Sequence, residues 1–247
     1  MLRSWLRRIW ASLGLLAMAA LTWTFQAHGL PPGVLESDAE VRVERTDAGL
    51  EFRPAVESGS AGLVFFPGGM VQLKAYAPLA RAIAREGFPV VLVRLPFLGR
   101  HAPGVGRQAE VIEVVVQRIG RDTLRVWAIA GHSFGGSLAA RFAYRHPGRT
   151  AALILIGTTH PRDLDLSGAG YPVARIYGTR DGVAPESRMR ETARNLPPDA
   201  MLVAVEGGNH AQFGYYGPQL GDSRATITRE DQQRLVVAAI TGILRSL

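Results

Sequence analysis

A serine flanked by glycines is the residue of this chain best placed for nucleophilic chemistry. Ser133 lies in the segment GHSFGG at 131–136. A serine hydroxyl is a weak nucleophile, so it needs a base within hydrogen-bonding distance, and the base needs a carboxylate to orient it. The segment therefore predicts attack of Ser133 on a carbonyl group, provided that the fold supplies a histidine and an acid.

The serine segment stands between a predicted strand at 126–130 and a predicted helix at 134–144. On a sharp turn from strand to helix, the positions two before and two after the nucleophile come too close together for side chains. Here those positions are Gly131 and Gly135. The segment is therefore typical of a nucleophile elbow, and a glycine-rich turn with an incidental serine is the alternative.

Three histidines downstream of the serine are candidates for the base. His146 ends a predicted helix, where a cation complements the helix dipole, and His160 lies in a loop after a predicted strand. His210 follows the predicted strand 201–205, and ligands of parallel sheets gather at the carboxyl ends of the strands. We therefore expect His210 to be the base.

The orienting carboxylate is expected at the same edge of the sheet. Asp181 lies in a loop just after the predicted strand 173–177. Asp163 and Asp165 follow the preceding strand and are the alternatives, while an Asp-Gly turn without a catalytic role is the other interpretation of Asp181. Nucleophile, acid and base would then come from three different strands and form one site.

Acyl transfer also needs amide groups that stabilise the developing oxyanion. The amide of Phe134, directly after the nucleophile, is the first candidate. The second donor is expected from the loop 67–71, with Gly69 as the first choice and Met70 as the alternative. A tight turn without this role is the other interpretation of that loop.

Aromatic residues follow the predicted base closely. They are candidates for lining a substrate pocket, although aromatic residues in such loops are at least as often packing anchors. The three are Phe213, Tyr215 and Tyr216. His132, beside the nucleophile, is interpreted as structural because its position offers no proton to move.

Short apolar strands alternate with helical segments over most of the chain. Predicted strands lie at 63–66, 89–94, 126–130, 152–156, 173–177 and 201–205, and predicted helices at 76–86, 110–119, 134–144, 186–195 and from 228 onward. This alternation predicts a mostly parallel twisted sheet with helices on both faces. An antiparallel hairpin at 41–45 and 50–53 is expected to precede it.

An uncharged run near the N-terminus predicts a membrane anchor. Residues 9–25 are nearly all apolar, three arginines precede them, and tryptophans lie near both ends. The pattern predicts one transmembrane helix with the following domain on the extracytoplasmic side. A cleaved signal peptide, which would give a secreted protein, and a buried helix are the alternatives. We divide the chain into an anchor at 1–29, a linker and hairpin at 30–60 and a domain at 61–247.

The composition is that of one ordinary globular domain. The chain has 247 residues, 47% hydrophobic and 20% charged, with no cysteine. The lack of cysteine excludes disulfides, thiolate metal sites and a cysteine nucleophile. The formal net charge is +7, but the arginines are scattered, so we expect no nucleic-acid partner. The predicted chemistry needs no metal or organic cofactor, and the oligomeric state stays open.

The motifs described above resemble those of the α/β-hydrolase superfamily, and the resemblance extends across about 62–247. Pro67-Gly68 occupies the place of its oxyanion His-Gly, 131–136 looks like its nucleophile elbow, and the loops of Asp181 and His210 fall in its acid and base positions. The segments FPGGMV, KAYAPLARAIA and EGGNHAQFGYYGPQLGD are similar to membrane-anchored bacterial hydrolases loosely related to dienelactone hydrolases. Dienelactone hydrolases proper use a cysteine nucleophile, so their substrate is not carried over.

The resemblance implies hydrolysis of an ester or related small acyl substrate through an acyl-enzyme. Acyltransferase, peptidase and cofactor-free haloperoxidase activities share such a triad, and a non-catalytic binding module on the same scaffold is the alternative outside enzymes. Only 16 residues separate the predicted strands that end at 156 and begin at 173. This spacing is little more than a parallel crossover requires, so no large cap is expected.

Overall fold

The computed structural model describes residues 2–96, 106–122 and 125–247. The strands are β1 (Val41–Arg45), β2 (Gly49–Pro54), β3 (Ala61–Phe66), β4 (Val90–Val93), β5 (Val126–His132), β6 (Ala152–Ile156), β7 (Val173–Gly178) and β8 (Met201–Val205). The helices are α1 (Leu2–Thr24), α2 (Ala77–Arg85), α3 (Gly106–Gly120), α4 (Phe134–Arg145), α5 (Glu186–Glu191) and α6 (Arg229–Arg245).

The eight strands form one sheet in the order β1-β2-β4-β3-β5-β6-β7-β8. β1 pairs antiparallel with β2, and β2 pairs antiparallel with β4. All other neighbouring strands run parallel. The predicted class, a mostly parallel sheet with helices and a leading antiparallel hairpin, is confirmed.

The strands β3 to β7 are buried on both faces, which explains why they are continuous apolar runs rather than alternating ones. Leu63 and Phe65 of β3 point into one apolar cluster, together with residues of α2 and α6. Val64 and Phe66 point into the other cluster, together with residues of α3 and α4. Because β3 and β5 to β8 run parallel, the loops that follow them meet at one edge of the sheet.

Two helices end or begin at places that side chains determine. Thr228 caps α6, and its hydroxyl accepts the amide hydrogen of Asp231 at 3.1 Å, as an N-cap threonine does. α5 stops at Glu191, short of the predicted residue 195. The buried guanidinium of Arg175 donates to the carbonyl of Met189 and to the hydroxyl of Thr192, and a short 3-10 turn at Ala193–Asn195 follows.

The segment at 157–172 between β6 and β7 is described throughout and contains neither helix nor strand. Its backbone runs from the carboxyl end of β6 to the start of β7 without an inserted domain. The expectation that no large cap interrupts this crossover agrees with the structure.

The predicted transmembrane helix needs correction. Residues 9–24 are helical within α1, but no helix in the described part of the chain is long and apolar enough to cross a membrane.

Beyond α1 the chain turns back onto the domain instead of continuing as a helix. The carbonyl of Thr24 accepts the amide hydrogen of Gly217 at 2.8 Å, and that of Phe25 accepts the amide hydrogen of Gln72 at 3.0 Å. His28 donates its amide hydrogen to Tyr215 at 2.9 Å. This crossing segment, residues 24–28, therefore touches two loops of the domain.

Candidate active site

Ser133 lies on a strained turn at the end of the central strand β5. Its backbone angles are φ 53° and ψ −118°, which a residue other than glycine rarely adopts. A Cβ atom at Gly131 would lie 2.1 Å from the carbonyl oxygen of Gly135, and one at Gly135 would lie 2.1 Å from that of Phe66. The structure thus shows the crowding that makes these two glycines necessary.

Asp181 and His210 meet in the loops after β7 and β8. Nδ1 of His210 lies 2.8 Å from Oδ2 of Asp181, and both side chains are buried. The other carboxylate oxygen accepts the amide hydrogens of Val183 at 2.9 Å and Ala184 at 2.7 Å. These two bonds hold the carboxylate in place, so Nδ1 of His210 donates to it and Nε2 is left as the acceptor.

The imidazole of His210 lies beside the nucleophile turn. Its ring centroid is 4.5 Å from that of His132, the residue before Ser133. Its Nε2 atom is buried and has no hydrogen-bond partner among the described residues. The hydroxyl of Ser133 is therefore not hydrogen-bonded to Nε2 in this structure, and a base must come within hydrogen-bonding distance of the proton that it takes.

The alternative acids and bases lie elsewhere. Asp163 pairs with Arg141 at 2.9 Å and is largely exposed, and Asp165 accepts the amide hydrogen of Ser167. His146 ends α4 with its ring 5.1 Å from that of Phe142. Burial and Arg162 lower the pKa of His160 to about 4. None of these four side chains contacts the Asp181–His210 pair within the residues that the structure describes.

The loop after β3 lies against the nucleophile turn. Met70 has φ 67°, and a Cβ atom at Gly69 would lie 3.3 Å from the Cβ of Phe134. The amide of Gly68 is already engaged, because it donates to the hydroxyl of Tyr76 at 3.0 Å. Gly69 and Met70, the two predicted candidates for the second oxyanion donor, follow Gly68 in this loop.

Tyr76 connects this loop to the nucleophile turn, a role that the sequence analysis missed. Its hydroxyl accepts the amide hydrogen of Gly68 and shares a hydrogen bond of 2.8 Å with Nδ1 of His132. Burial raises the pKa of Tyr76 far above its ordinary value, and burial followed by nearby His210 holds the pKa of His132 well below its own. Both directions favour the neutral form of each group.

The aromatic residues after the base are largely buried. Phe213 and Tyr216 are almost fully buried, and their ring centroids lie 5.4 and 6.4 Å from that of His132. Tyr215 faces a groove of about 630 Å³ between α2 and α6, with the guanidinium of Arg229 over its ring. Their predicted place in a substrate pocket stays a prediction.

The described residues offer no place for a metal ion. Across residues 2–96, 106–122 and 125–247, no three His, Asp or Glu side chains are grouped so that they could ligate one. The arrangement that is present consists of an elbow serine, a buried imidazole with a free acceptor nitrogen, and a bonded carboxylate. Its elements are those of nucleophilic acyl transfer.

The parallel sheet with a serine turn at the end of its central strand defines an α/β-hydrolase fold. The model of the Alpha/beta hydrolase family matches residues 62–234, and the chain belongs to this family.

Solved structures of other hydrolases share the fold. A predicted CIB-like hydrolase from Thermoplasma acidophilum superposes with a TM-score of 0.63 at 17% identity, covering 84% of this chain and 99% of its own. A thermophilic esterase from Thermogutta terrifontis superposes with a TM-score of 0.59 at 16% identity, covering 84% and 99%. At such identities the likeness concerns the fold alone.

A relative among characterised proteins matches over a shorter stretch. A putative non-heme haloperoxidase of Mycobacterium phage D29 is 31% identical over 109 residues. The match covers 42% of this chain and 39% of the phage protein. The chain therefore matches well under half of that relative.

Proposed function

We propose that the protein is a serine hydrolase that cleaves an ester or related acyl bond of a small substrate. The observation that carries the proposal is the buried Asp181–His210 pair beside the strained turn of Ser133. Membership of the Alpha/beta hydrolase family supports hydrolysis as the reaction class. The ester as substrate rests on the chemistry of the site.

In the proposed first step, Nε2 of His210 takes the proton of Ser133 while the serine oxygen attacks the carbonyl carbon. Asp181 keeps the other imidazole nitrogen protonated and stabilises the charged ring. The amides of Phe134 and of Gly69 or Met70 stabilise the oxyanion. His210 then returns the proton to the leaving group, and an acyl group stays on Ser133.

In the second step, water attacks the acyl group. His210 takes a proton from this water, the oxyanion forms again at the same amides, and the acid leaves as Ser133 regains its proton. No redox or metal step is needed. The same base and the same oxyanion hole thus serve both acylation and deacylation.

The test is covalent labelling of the full chain with a fluorophosphonate, combined with turnover of short p-nitrophenyl esters. The unchanged protein should be labelled and active, and Ser133→Ala and His210→Ala should be neither. Ser187→Ala, at an exposed position of α5, is the matched control and should behave as the unchanged protein. Labelling that persists in Ser133→Ala would refute the nucleophile, and absence of turnover across ester chain lengths would favour a binding module.

A second candidate is perhydrolysis, in which hydrogen peroxide replaces water in the second step and a peracid leaves. The name of the phage relative, a putative non-heme haloperoxidase, is the observation that favours it. Competition between peroxide and water for the same acyl-enzyme distinguishes the two. Peracid formation that depends on Ser133 would support this candidate, and acid as the sole product in the presence of peroxide would exclude it.

We also propose that α1 binds a membrane surface. Trp10, Leu15 and Leu16 each expose about two thirds or more of their surface, and Arg7 and Arg8 are exposed beside them. Apolar side chains next to cations fit an anionic lipid surface. The full chain should float with anionic vesicles, whereas the double variant Trp10→Ser, Leu16→Ser should float less. The side of the membrane, and the closer likeness to dienelactone-hydrolase relatives, stay predictions.

A further inference from the structure

The segment at 214–228, between the base loop and α6, carries a carboxylate that the proposed mechanism does not use. Oδ1 of Asp222 accepts the amide hydrogens of Gly182 and His210, both at 3.2 Å. Oδ2 accepts the amide hydrogen of Ala211 at 2.9 Å. The Asp222 side chain therefore binds the backbone of Gly182, next to the predicted acid, and the backbone of the predicted base His210 and of Ala211.

The backbone around Asp222 also lies directly on the acid loop. A Cβ atom at Gly182 would lie 2.3 Å from the carbonyl oxygen of Gly221 and 3.1 Å from the amide nitrogen of Ser223. Only glycine allows this approach, since any side chain would meet backbone atoms. The acid loop and the Asp222 segment thus touch through backbone as well as through the carboxylate.

We propose that Asp222 is a positioning residue that keeps His210 in register with Asp181, an inference that rests on the proposed function. The base must hold Nδ1 on Asp181 while Nε2 takes and returns a proton. The position of the His210 side chain depends on the position of its backbone. Oδ1 of Asp222 accepts the backbone amide hydrogens of both His210 and Gly182, which lies in the acid loop. The carboxylate therefore fixes the distance between the two loops at the residues that react.

Loss of this link should impair turnover more than substrate binding. Displacement of a reacting group by about 1 Å costs about 100-fold in rate, whereas Asp222 itself takes no part in the proposed contacts with substrate. The loops stay joined nearer the strands, because Arg180 donates its amide hydrogen to the carbonyl of Gly208 at 2.8 Å. We therefore expect a protein without the carboxylate to fold.

The experiment compares Asp222→Ala and Asp222→Asn in the full chain, with Asp199→Ala at an exposed position as the matched control. The measurements are kcat and KM for a short p-nitrophenyl ester, the melting temperature, and the low-field proton NMR signal of Nδ1–H in His210. Asp222→Ala should lower kcat about 100-fold with KM nearly unchanged. Asp222→Asn keeps one acceptor oxygen but turns amide hydrogens toward Ala211, so it should lower kcat about tenfold.

A weakened or lost low-field signal in folded Asp222→Ala supports positioning, because a merely structural residue would lower the melting temperature without moving this proton. Values of kcat equal to those of the control in both variants, or a rise in KM without a fall in kcat, would overturn the inference. If Asp222→Ala does not fold, Asp222→Asn decides by the same criteria. If the unchanged protein shows no Ser133-dependent turnover, the proposed function fails, and the NMR signal alone still tests whether Asp222 holds the pair.

Discussion

The two halves of the candidate site are held in place by different means. In the acid and base loops, two carboxylates accept backbone amide hydrogens and tie the loops together. At the nucleophile turn, glycines let backbone segments approach so closely that a Cβ atom would lie 2.1 Å from a carbonyl oxygen. Hydrogen bonds tolerate small displacements, but overlapping atoms tolerate none. Substitutions should therefore damage the chemistry in the first half and the fold in the second.

The largest expected effect comes from Asp181→Asn, which tests the hydrogen-bonded half. Asparagine can still accept from Val183 and Ala184, so the loop should fold. Its amide hydrogens would face Nδ1 of His210 and favour the wrong tautomer, which should lower kcat about 10⁴-fold.

Steady-state turnover together with circular dichroism checks this prediction. Asp163→Asn is the comparison variant, since Asp163 pairs with Arg141 and lies away from His210. Loss of activity in Asp163→Asn with retention in Asp181→Asn would reverse the assignment of the acid.

The next effect comes from Gly135→Ala, which tests the crowded half. The added Cβ would lie 2.1 Å from the carbonyl oxygen of Phe66. Overpacking of this kind costs about 3 kcal/mol, which lowers the melting temperature of a domain of this size by about 6–12 °C. Gly148→Ala is the control, because a Cβ there would meet nothing within 4 Å. Equal melting temperatures of the two variants would contradict the contrast between the halves.

Tyr76→Phe sharpens the comparison, because Tyr76 ties the nucleophile turn by hydrogen bonds. The change leaves the buried amide of Gly68 without an acceptor, which costs about 1–3 kcal/mol of stability. The oxyanion loop should loosen, so kcat should fall about tenfold, less than the loss of an oxyanion donor itself. Tyr144→Phe, at an exposed tyrosine, should change neither quantity. An unchanged kcat in Tyr76→Phe would show that the hydrogen bond between Gly68 and Tyr76 does not affect the oxyanion hole.

The smallest expected effect is a pH dependence of stability at His132. Burial first, and His210 second, hold the pKa of His132 well below 6.5 in the folded protein. Below about pH 6.5, His132 therefore becomes protonated in the unfolded chain but stays neutral in the folded protein. Stability should decline from there toward the folded-state pKa, by up to about 1.4 kcal/mol per pH unit.

Urea unfolding between pH 7 and pH 5 measures this slope. His132→Gln should unfold more easily at every pH, but its free energy of unfolding should depend less steeply on pH than that of the unchanged protein. Equal slopes would show that His132 does not titrate between the folded and unfolded states as its burial among Tyr76, His210, Phe213 and Tyr216 implies.

The fold and the meeting of Asp181 with His210 could be predicted because local signals mark them. Apolar runs reveal buried strands, and glycines around Ser133 reveal the turn. The carboxyl ends of parallel strands restrict where Asp181 and His210 can lie. All of these follow from backbone geometry, which short stretches of sequence encode.

The supporting residues could not be predicted, because their roles depend on side-chain packing between distant segments. Tyr76 looks like an ordinary core residue at the start of a helix, and Asp222 lies in an irregular segment without periodicity. The burial of Phe213 and Tyr216 is equally a matter of tertiary contacts. The sequence shows a glycine directly after the predicted acid, Gly182, but it does not show that Gly221 and Ser223 pack against it.

The crossing segment at 24–28 has a practical consequence for anyone who shortens the chain. Its backbone bonds to Gln72, beyond the oxyanion loop, and to Tyr215 and Gly217, beyond the base. A recombinant fragment that begins at residue 31 would remove these bonds and leave both loops less supported. The minimal fragment that keeps its full complement of loop contacts should therefore start before Thr24.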